Sequence, residues 1–349
     1  MYKIKILTFK IKKIFIPSCI CLFTLFLLIF SNENLLSAKS GLILWANSVV
    51  PSLLPFFIAT ELLGYTNIVS VLGRLLNKFM RPIFNIPGEG SFPFIMGIIS
   101  GYPMGAKIVS KFKQQGICSK EEAERMLSFT NNSGPLFIIG TVGIGMFKDT
   151  NTGILLFITH ILACLTVGFV FRWWKSGDKK RHESIEKSIS NQELVSVSNL
   201  GEVLSKSIMS AINTVLLIGG FIVLFSVIVS ILEKSNVLNM LSSFIYPILN
   251  FLGIPINYSN SILTGIIELT NGVAKVSLIP NKSISTSVII CSFLLGFGGI
   301  SITLQILSVI SKVKISIKPY LIGKLLQGIF AAIYTYLFLN FLPFIRLDL

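Results

Sequence analysis

Charge is scarce in this chain. Asp, Glu, Lys and Arg make up 13% of its 349 residues, against roughly 25% in soluble globular proteins, so a soluble globular domain is excluded. Histidine occurs twice, and no HExxH, GxSxG or Cys/His ligand cluster is present, which removes the ligand sets and nucleophile settings of common hydrolases. There is no GxxxxGK[ST] loop, so no nucleotide motor is built in. The five cysteines, Cys19, Cys21, Cys118, Cys164 and Cys291, form no CxxC pair and lie mostly in apolar runs, where cysteine acts as a small hydrophobe. No enzymatic activity, metal or cofactor is expected.

What the chain has instead is long uncharged stretches. Ile14–Asn32, Ser40–Thr60, Met126–Phe147, Thr150–Phe171, Ser207–Leu232, Ser283–Ser311 and Leu325–Ile345 each lack Asp, Glu, Lys and Arg. About 20 apolar residues cross the hydrocarbon core as a helix, and lipid forces the backbone to satisfy itself internally. The sequence therefore predicts an all-α integral membrane protein with about seven crossings. Ile14–Asn32 is read as an uncleaved span rather than a signal peptide, because the run is long, Pro17 sits near its start and Ser37-Ala38-Lys39 is a poor cleavage site.

The net charge of +15 follows the positive-inside rule and does not call for nucleic acid. Five lysines within residues 1–13 place the N-terminus in the cytoplasm. Segments 1–13, 64–90, 107–125, 172–206 and 312–324 hold 24 of the 30 Lys and Arg. That asymmetry fits an odd number of crossings with the C-terminus outside.

The polar segment 175–206, containing Lys179-Lys180-Arg181-His182, reads as a flexible cytoplasmic linker. The flanking halves resemble each other. Gly97-Ile98-Ile99 and Ala106-Lys107 recur as Gly265-Ile266-Ile267 and Ala274-Lys275. Asn47-Ser48-Val49 recurs as Asn213-Thr214-Val215, and Ser128-Phe129 with Gly134 as Ser292-Phe293 with Gly298. The expected organisation is a first span over 1–39, a repeat over 40–174, the linker, and a repeat over 207–349. Each repeat holds three spanning helices, an amphipathic helix (Ile68–Phe84 and Val237–Leu252) and a short interrupted segment (91–113 and 258–281). Pro and Gly within Ser100-Gly101-Tyr102-Pro103-Met104-Gly105 break the helix, and each flank is too short to cross. The segment is predicted to be a re-entrant hairpin, with Glu268-Leu269-Thr270-Asn271-Gly272 as the tip of its partner. Three crossings per repeat make the repeats inverted.

Inverted repeats with interrupted helices mark a secondary transporter, because half-helix ends leave free backbone groups at the midplane. Residues expected to bind substrate are Ser100, Tyr102 and Lys107 at the first tip, and Glu268, Thr270, Asn271 and Lys275 at the second. Asn131, Asn132 and Ser133 join them from the broken span of the first half. Lys107 and Lys275 at equivalent positions suit an anion, a dicarboxylate above all; snorkelling to the interface is the alternative for each. Glu268 is read as balancing one Lys or binding a coupling cation. Helix–helix hydrogen bonding is the alternative for Asn131, Asn132 and Ser133. Gly97, Gly101 and Gly105 read as packing glycines, and His160 as a packing or interhelical hydrogen-bonding residue. The expected partners are a small anionic solute and the bilayer, with a homo-oligomer left open.

Ser100-Gly101-Tyr102-Pro103-Met104-Gly105-Ala106-Lys107 followed by Phe129-Thr130-Asn131-Asn132-Ser133-Gly134-Pro135 resembles the YlbJ-type sporulation integral membrane proteins of the nucleoside-recognition (Gate) group. That group is related in architecture to concentrative nucleoside transporters. The resemblance covers about residues 40–343. It implies spore formation, a membrane around the forespore, and movement of dipicolinic acid toward the spore core. Asn131 and Asn132 depart from the acidic pattern of nucleoside carriers, which argues against nucleoside transport and sodium coupling. The alternatives that remain are a nucleoside or nucleobase carrier and a non-transporting assembly protein.

Overall fold

The computed structural model describes residues 2–176, 196, 198–280 and 283–341. The lysine cluster of residues 1–13, the basic run 179–182, Lys282 and Arg346 lie outside the side chains it describes. Among the described residues every regular element is helical, as lipid demands of a chain this apolar.

The first helix, α1 (Tyr2–Ile29), meets α2 (Ser31–Leu44) at a bend of 99°. Helix α2 continues through a π-helical stretch, Trp45–Val49, into α3 (Val50–Leu63). The cause of the widened turn is local: Pro51 lacks an N–H and its ring crowds the carbonyl four residues earlier. The expected spans Ile14–Asn32 and Ser40–Thr60 thus fall on two helices that meet at Phe30. The second run covers 31–63 and starts nine residues before the expected span at Ser40.

Helix α4 (Ile68–Phe84) is amphipathic as expected. Val69, Gly73, Met80 and Phe84 are buried at helical spacing, while Arg74, Lys78 and Arg81 are exposed. Hairpin 1 is α5 (Ser91–Ser100) and α6 (Met104–Gln114). Helix α7 (Lys120–Leu127) opens on a capping box between Ser119 and Glu122. Residues 128–135 then run without regular structure up to a π-helix, Leu136–Phe147. Met126–Phe147, counted as an uncharged span, is therefore a broken element; its Asn, Ser, Gly and Pro interrupt the helix. Helix α8 (Thr150–Val170) closes the first half.

The second half runs in the same order: a long helix α9 (Leu200–Lys234), an amphipathic α10 (Val237–Phe251), hairpin 2 made of α11 (Ser259–Ile267) and α12 (Leu269–Ser277), a span broken at Gly298 into α13 (Ile284–Phe297) and α14 (Gly299–Ile310), and a closing helix α15 (Lys318–Phe341). Helix α9 begins seven residues before the expected start at 207, so residues 200–206 belong to the helix and not to the linker. The rest of the linker, 177–195 and 197, lies outside the described residues.

By length and composition, four helices among the described residues can cross a membrane, and two bent pairs raise that to six. The seventh expected crossing is the broken Met126–Phe147 element. Helix α9 packs on α2 and α3, while α15 packs between α13 and α8.

Candidate functional site

Helix α9 serves as a ruler for the interior. Three cavities follow one another along it. The first, about 590 Å³, is lined by Ser210, Asn213, Thr214 and Leu217 of α9. The second, about 100 Å³, takes Ile218 and Ile222. The third, about 550 Å³, takes Ser226, Val229, Ser230, Glu233 and Lys234. The 31–63 helix reads the same series backwards: Thr60 and Glu61 line the first, Val49, Ser52 and Leu53 the second, Glu33 to Leu44 the third. We call these the first vestibule, the central cavity and the second vestibule.

Both hairpin tips meet in the central cavity, where Gly101 and Tyr102 face Glu268, Leu269 and Thr270, with Ser133, Gly134 and Gln305 completing the polar wall. From there the hairpins leave in opposite directions. Helix α6 passes into the first vestibule through Met104, Lys107 and Lys111. Helix α12 passes into the second through Asn271, Ala274 and Lys275.

Hairpin 1 lies against the first break with no room for a side chain. A Cβ on Gly97 or on Gly105 would collide with the Thr130 carbonyl oxygen, so the glycine spacing is a packing device, as expected. The contact holds Tyr102 beside the break. Ser133 Oγ donates to Tyr102 Oη at 2.7 Å, and Tyr102 Oη donates to the Leu295 carbonyl at 3.1 Å. Asn132 Nδ2 donates to the Phe129 carbonyl at 2.8 Å and lies 3.3 Å from Cys164 Sγ. The Ser133 N–H donates to His160 Nε2 at 3.3 Å.

The residue that organises this wall is Lys324, which is 2% exposed. Its Nζ donates to the Asn131 carbonyl at 3.2 Å and to Gln327 Oε1 at 2.8 Å, and lies 5.5 Å from the centre of the Tyr102 ring. Gln327 Nε2 donates to Asn132 Oδ1 at 2.9 Å. No carboxylate lies within 4 Å of Lys324 among the described residues. Beside this group the Asn131 amide is buried with neither its nitrogen nor its oxygen hydrogen-bonded. Gly298, at φ +84°, faces the same spot; a Cβ there would lie 3.5 Å from both Lys324 Cε and Tyr102 Oη. Burying an amine without an ionic partner is costly, which makes Lys324 a candidate functional residue.

Glu268 is the buried carboxyl of the central cavity, 4% exposed. Its carboxylate accepts the N–H of Thr270 at 3.2 Å and of Asn271 at 2.7 Å, capping α12. It balances neither Lys107 nor Lys275.

Those two lysines do not face one cavity. Lys107 Nζ sits 2.6 Å from Glu61 Oε1 and donates to Ser210 Oγ at 2.9 Å and Thr214 Oγ1 at 2.8 Å in the first vestibule. Lys275 pairs with Glu233 in the second. The physical reason is elementary: a partly buried cation within reach of a carboxylate pairs with it. Ser100 bonds Thr60 at 2.8 Å, outside the central wall, and Asn271 reaches Ser226 at 3.4 Å.

Sequence reasoning missed Lys324, Gln327, Glu61 and Glu233, and counted Lys324 among cytoplasmic loop charges. The signal was available. Tyr320, Lys324, Gln327, Ala331 and Thr335 recur at steps of three and four, and all five are buried, the pattern of an inward polar stripe.

Residues 46–171 and 215–316 match the family model described as nucleoside recognition, Gate. The chain is 37% identical over 339 residues to the sporulation integral membrane protein YlbJ of Bacillus subtilis strain 168, an alignment covering 94% of this chain and 83% of that one. In fold it is similar to CNTnw, solved in an inward-facing substrate-bound state, with a TM-score of 0.57 and 13% identity over 92% of this chain and 84% of that one.

Proposed function

The chain belongs to the nucleoside-recognition (Gate) family of integral membrane proteins, alongside the sporulation membrane protein of B. subtilis, and from that premise we propose that it carries a small anionic solute across the bilayer by alternating access. One observation carries the anionic reading: the buried Lys324 amine, at the first break and behind Tyr102, has no carboxylate within 4 Å among the described residues. A solute carboxylate entering the central cavity supplies the missing counter-charge. Tyr102 and Ser133 line that cavity, and their hydroxyls, bonded to the Leu295 carbonyl and to each other, would turn to donate to the same solute. The inverted arrangement of the repeats is supported by the hairpins, which reach the central cavity from opposite vestibules. Alternating access is the motion that such a layout permits.

A dicarboxylate such as dipicolinate, moved across a membrane around the forespore, is the substrate we place first. A second reading, a nucleoside carrier, draws on Glu268 and Gln305 in the same wall, which suit hydroxyl and N–H donors.

Uptake into proteoliposomes of dipicolinate and of uridine separates the two. We expect Lys324→Met to cut dipicolinate uptake about tenfold or more, with membrane insertion intact, and Lys324→Arg to retain part of it. Undiminished dipicolinate uptake by Lys324→Met sinks the anionic reading, and uridine uptake lost with Glu268→Gln favours the second.

A further inference from the structure

We infer that the first vestibule is a separate binding site for small dicarboxylates, where the solute competes with Glu61 for Lys107 before it reaches the central cavity.

The two vestibules are of similar size but unlike charge. The first is lined by Lys107, Lys111 and Lys312 against one acid, Glu61. The second is lined by Lys234 and Lys275 against Glu33 and Glu233. One is positive by two charges and the other neutral, so an anion concentrates in the first. The surplus is available. Lys111 Nζ lies over the Tyr65 ring at 5.2 Å, and neither Lys111 nor Lys312 has a carboxylate within 4 Å among the described residues.

The Lys107 ion pair is built to exchange its partner. Its amine is the more accessible member, the side chain 26% exposed against 12% for Glu61. An ammonium has three protons to donate, yet four acceptors crowd this one: Glu61 Oε1, Ser210 Oγ, Thr214 Oγ1 and, at 3.3 Å, the Ser210 carbonyl. Replacing the Glu61 carboxylate by a solute carboxylate preserves both charge and donor count. Lys107 and Lys111 stand one turn apart on the same face of α6, so a second carboxylate on a rigid ring meets Lys111.

The exchange has a mechanical consequence. Glu61 lies on α3, Ser210 and Thr214 on α9, and Lys107 on hairpin 1. A solute that takes Lys107 from Glu61 breaks the ion pair between hairpin 1 and α3, leaving Thr60, bonded to Ser100, as the polar tie between them. The matching latch on hairpin 2, Lys275 with Glu233, has no surplus lysine beside it to hold an anion. The device is therefore one-sided, and by the positive-inside rule the loaded side is cytoplasmic.

The onward passage of a bound solute rests on the carrier reading, but the site itself is tested without transport. The probe is isophthalate, titrated by equilibrium binding onto the full chain purified in detergent, in a Lys324→Met background that silences the central amine. Glu61→Gln is expected to tighten binding roughly threefold or more by removing the competitor. Lys107→Gln is expected to weaken it about tenfold or more, and Lys107→Arg to restore it. Glu233→Gln leaves it unchanged, and benzoate binds more weakly than isophthalate. Equal weakening by Glu61→Gln and Lys107→Gln, no effect from either, or inorganic phosphate binding as tightly as isophthalate overturns the proposal. Transport lost with Lys324→Met while vestibule binding persists upholds it, and dipicolinate uptake undiminished by Lys324→Met sinks only the reading of Lys324 as the central anion site.

Discussion

Glu124 exposes none of its side chain and accepts three hydrogen bonds from three parts of the chain. Its Oε2 takes Trp174 Nε1 and Lys175 Nζ, each at 2.9 Å, and its Oε1 takes the Ser316 N–H at 3.0 Å. It thereby joins α7 to the end of α8 and to the approach of α15. Burial pushes its carboxyl up, but the Trp174, Lys175 and Ser316 bonds outweigh that and hold it below the usual glutamate range. A depressed carboxyl stabilises the fold above its unfolded value and loses that contribution as pH falls through the folded one. The melting temperature of the purified protein should accordingly fall as pH drops below about 4.3. Glu124→Gln should flatten that part of the profile and cost about 1–3 kcal/mol at neutral pH. A profile identical in the two proteins contradicts this account.

Hairpin 1 and the first break act as one element. Gly97 and Gly105 let two helices touch the Thr130 carbonyl, and this contact places Tyr102 against Ser133 and Lys324. Gly105→Val must push hairpin and break apart, since the opposing atom is backbone. Overpacking of this kind costs about 1–3 kcal/mol, and the displaced Tyr102 should lower uptake together with stability. Gly140→Ala, where nothing lies within 4 Å of an added Cβ, should leave both unchanged. Hairpin 1 was legible from Pro and Gly in an apolar run, because those residues break helices; hairpin 2, whose tip lacks Pro and breaks at Glu268, was legible only as the counterpart of the first. The π-helical stretches were not, since a π turn conserves composition and alters only the hydrogen-bond register.

At the scale of the molecule, the two long helices fix the order of vestibule, central cavity and vestibule. At 1.5 Å per residue the stretch of α9 from Ser210 to Lys234 that lines the vestibules spans about 36 Å, more than the hydrocarbon core of about 30 Å, so the vestibules are expected to open on opposite sides. In a chain whose five native cysteines are replaced by Ala, Asn213→Cys should react with a membrane-impermeant maleimide from the cytoplasmic side, and Ser40→Cys from the other; both positions are exposed vestibule residues. Labelling of both from one side contradicts this order.

The amino-acid sequence alone determined the class, the repeated order of elements and both hairpin tips. These follow from hydropathy, from helix-breaking residues at the first tip, and from the recurrence of short motifs that locates the second. It also placed Tyr102, Ser133, Glu268 and Thr270, which do meet in one cavity. Only the tertiary structure decided how the charges pair. Glu61 with Lys107 and Glu233 with Lys275 are contacts between different helices, and Lys324 has no carboxylate within 4 Å among the described residues. Hydropathy sets how deep a residue lies, but which cation keeps a counter-ion depends on distances of a few ångströms between helices. Those distances turned a two-lysine anion site into two latched vestibules and a single buried amine.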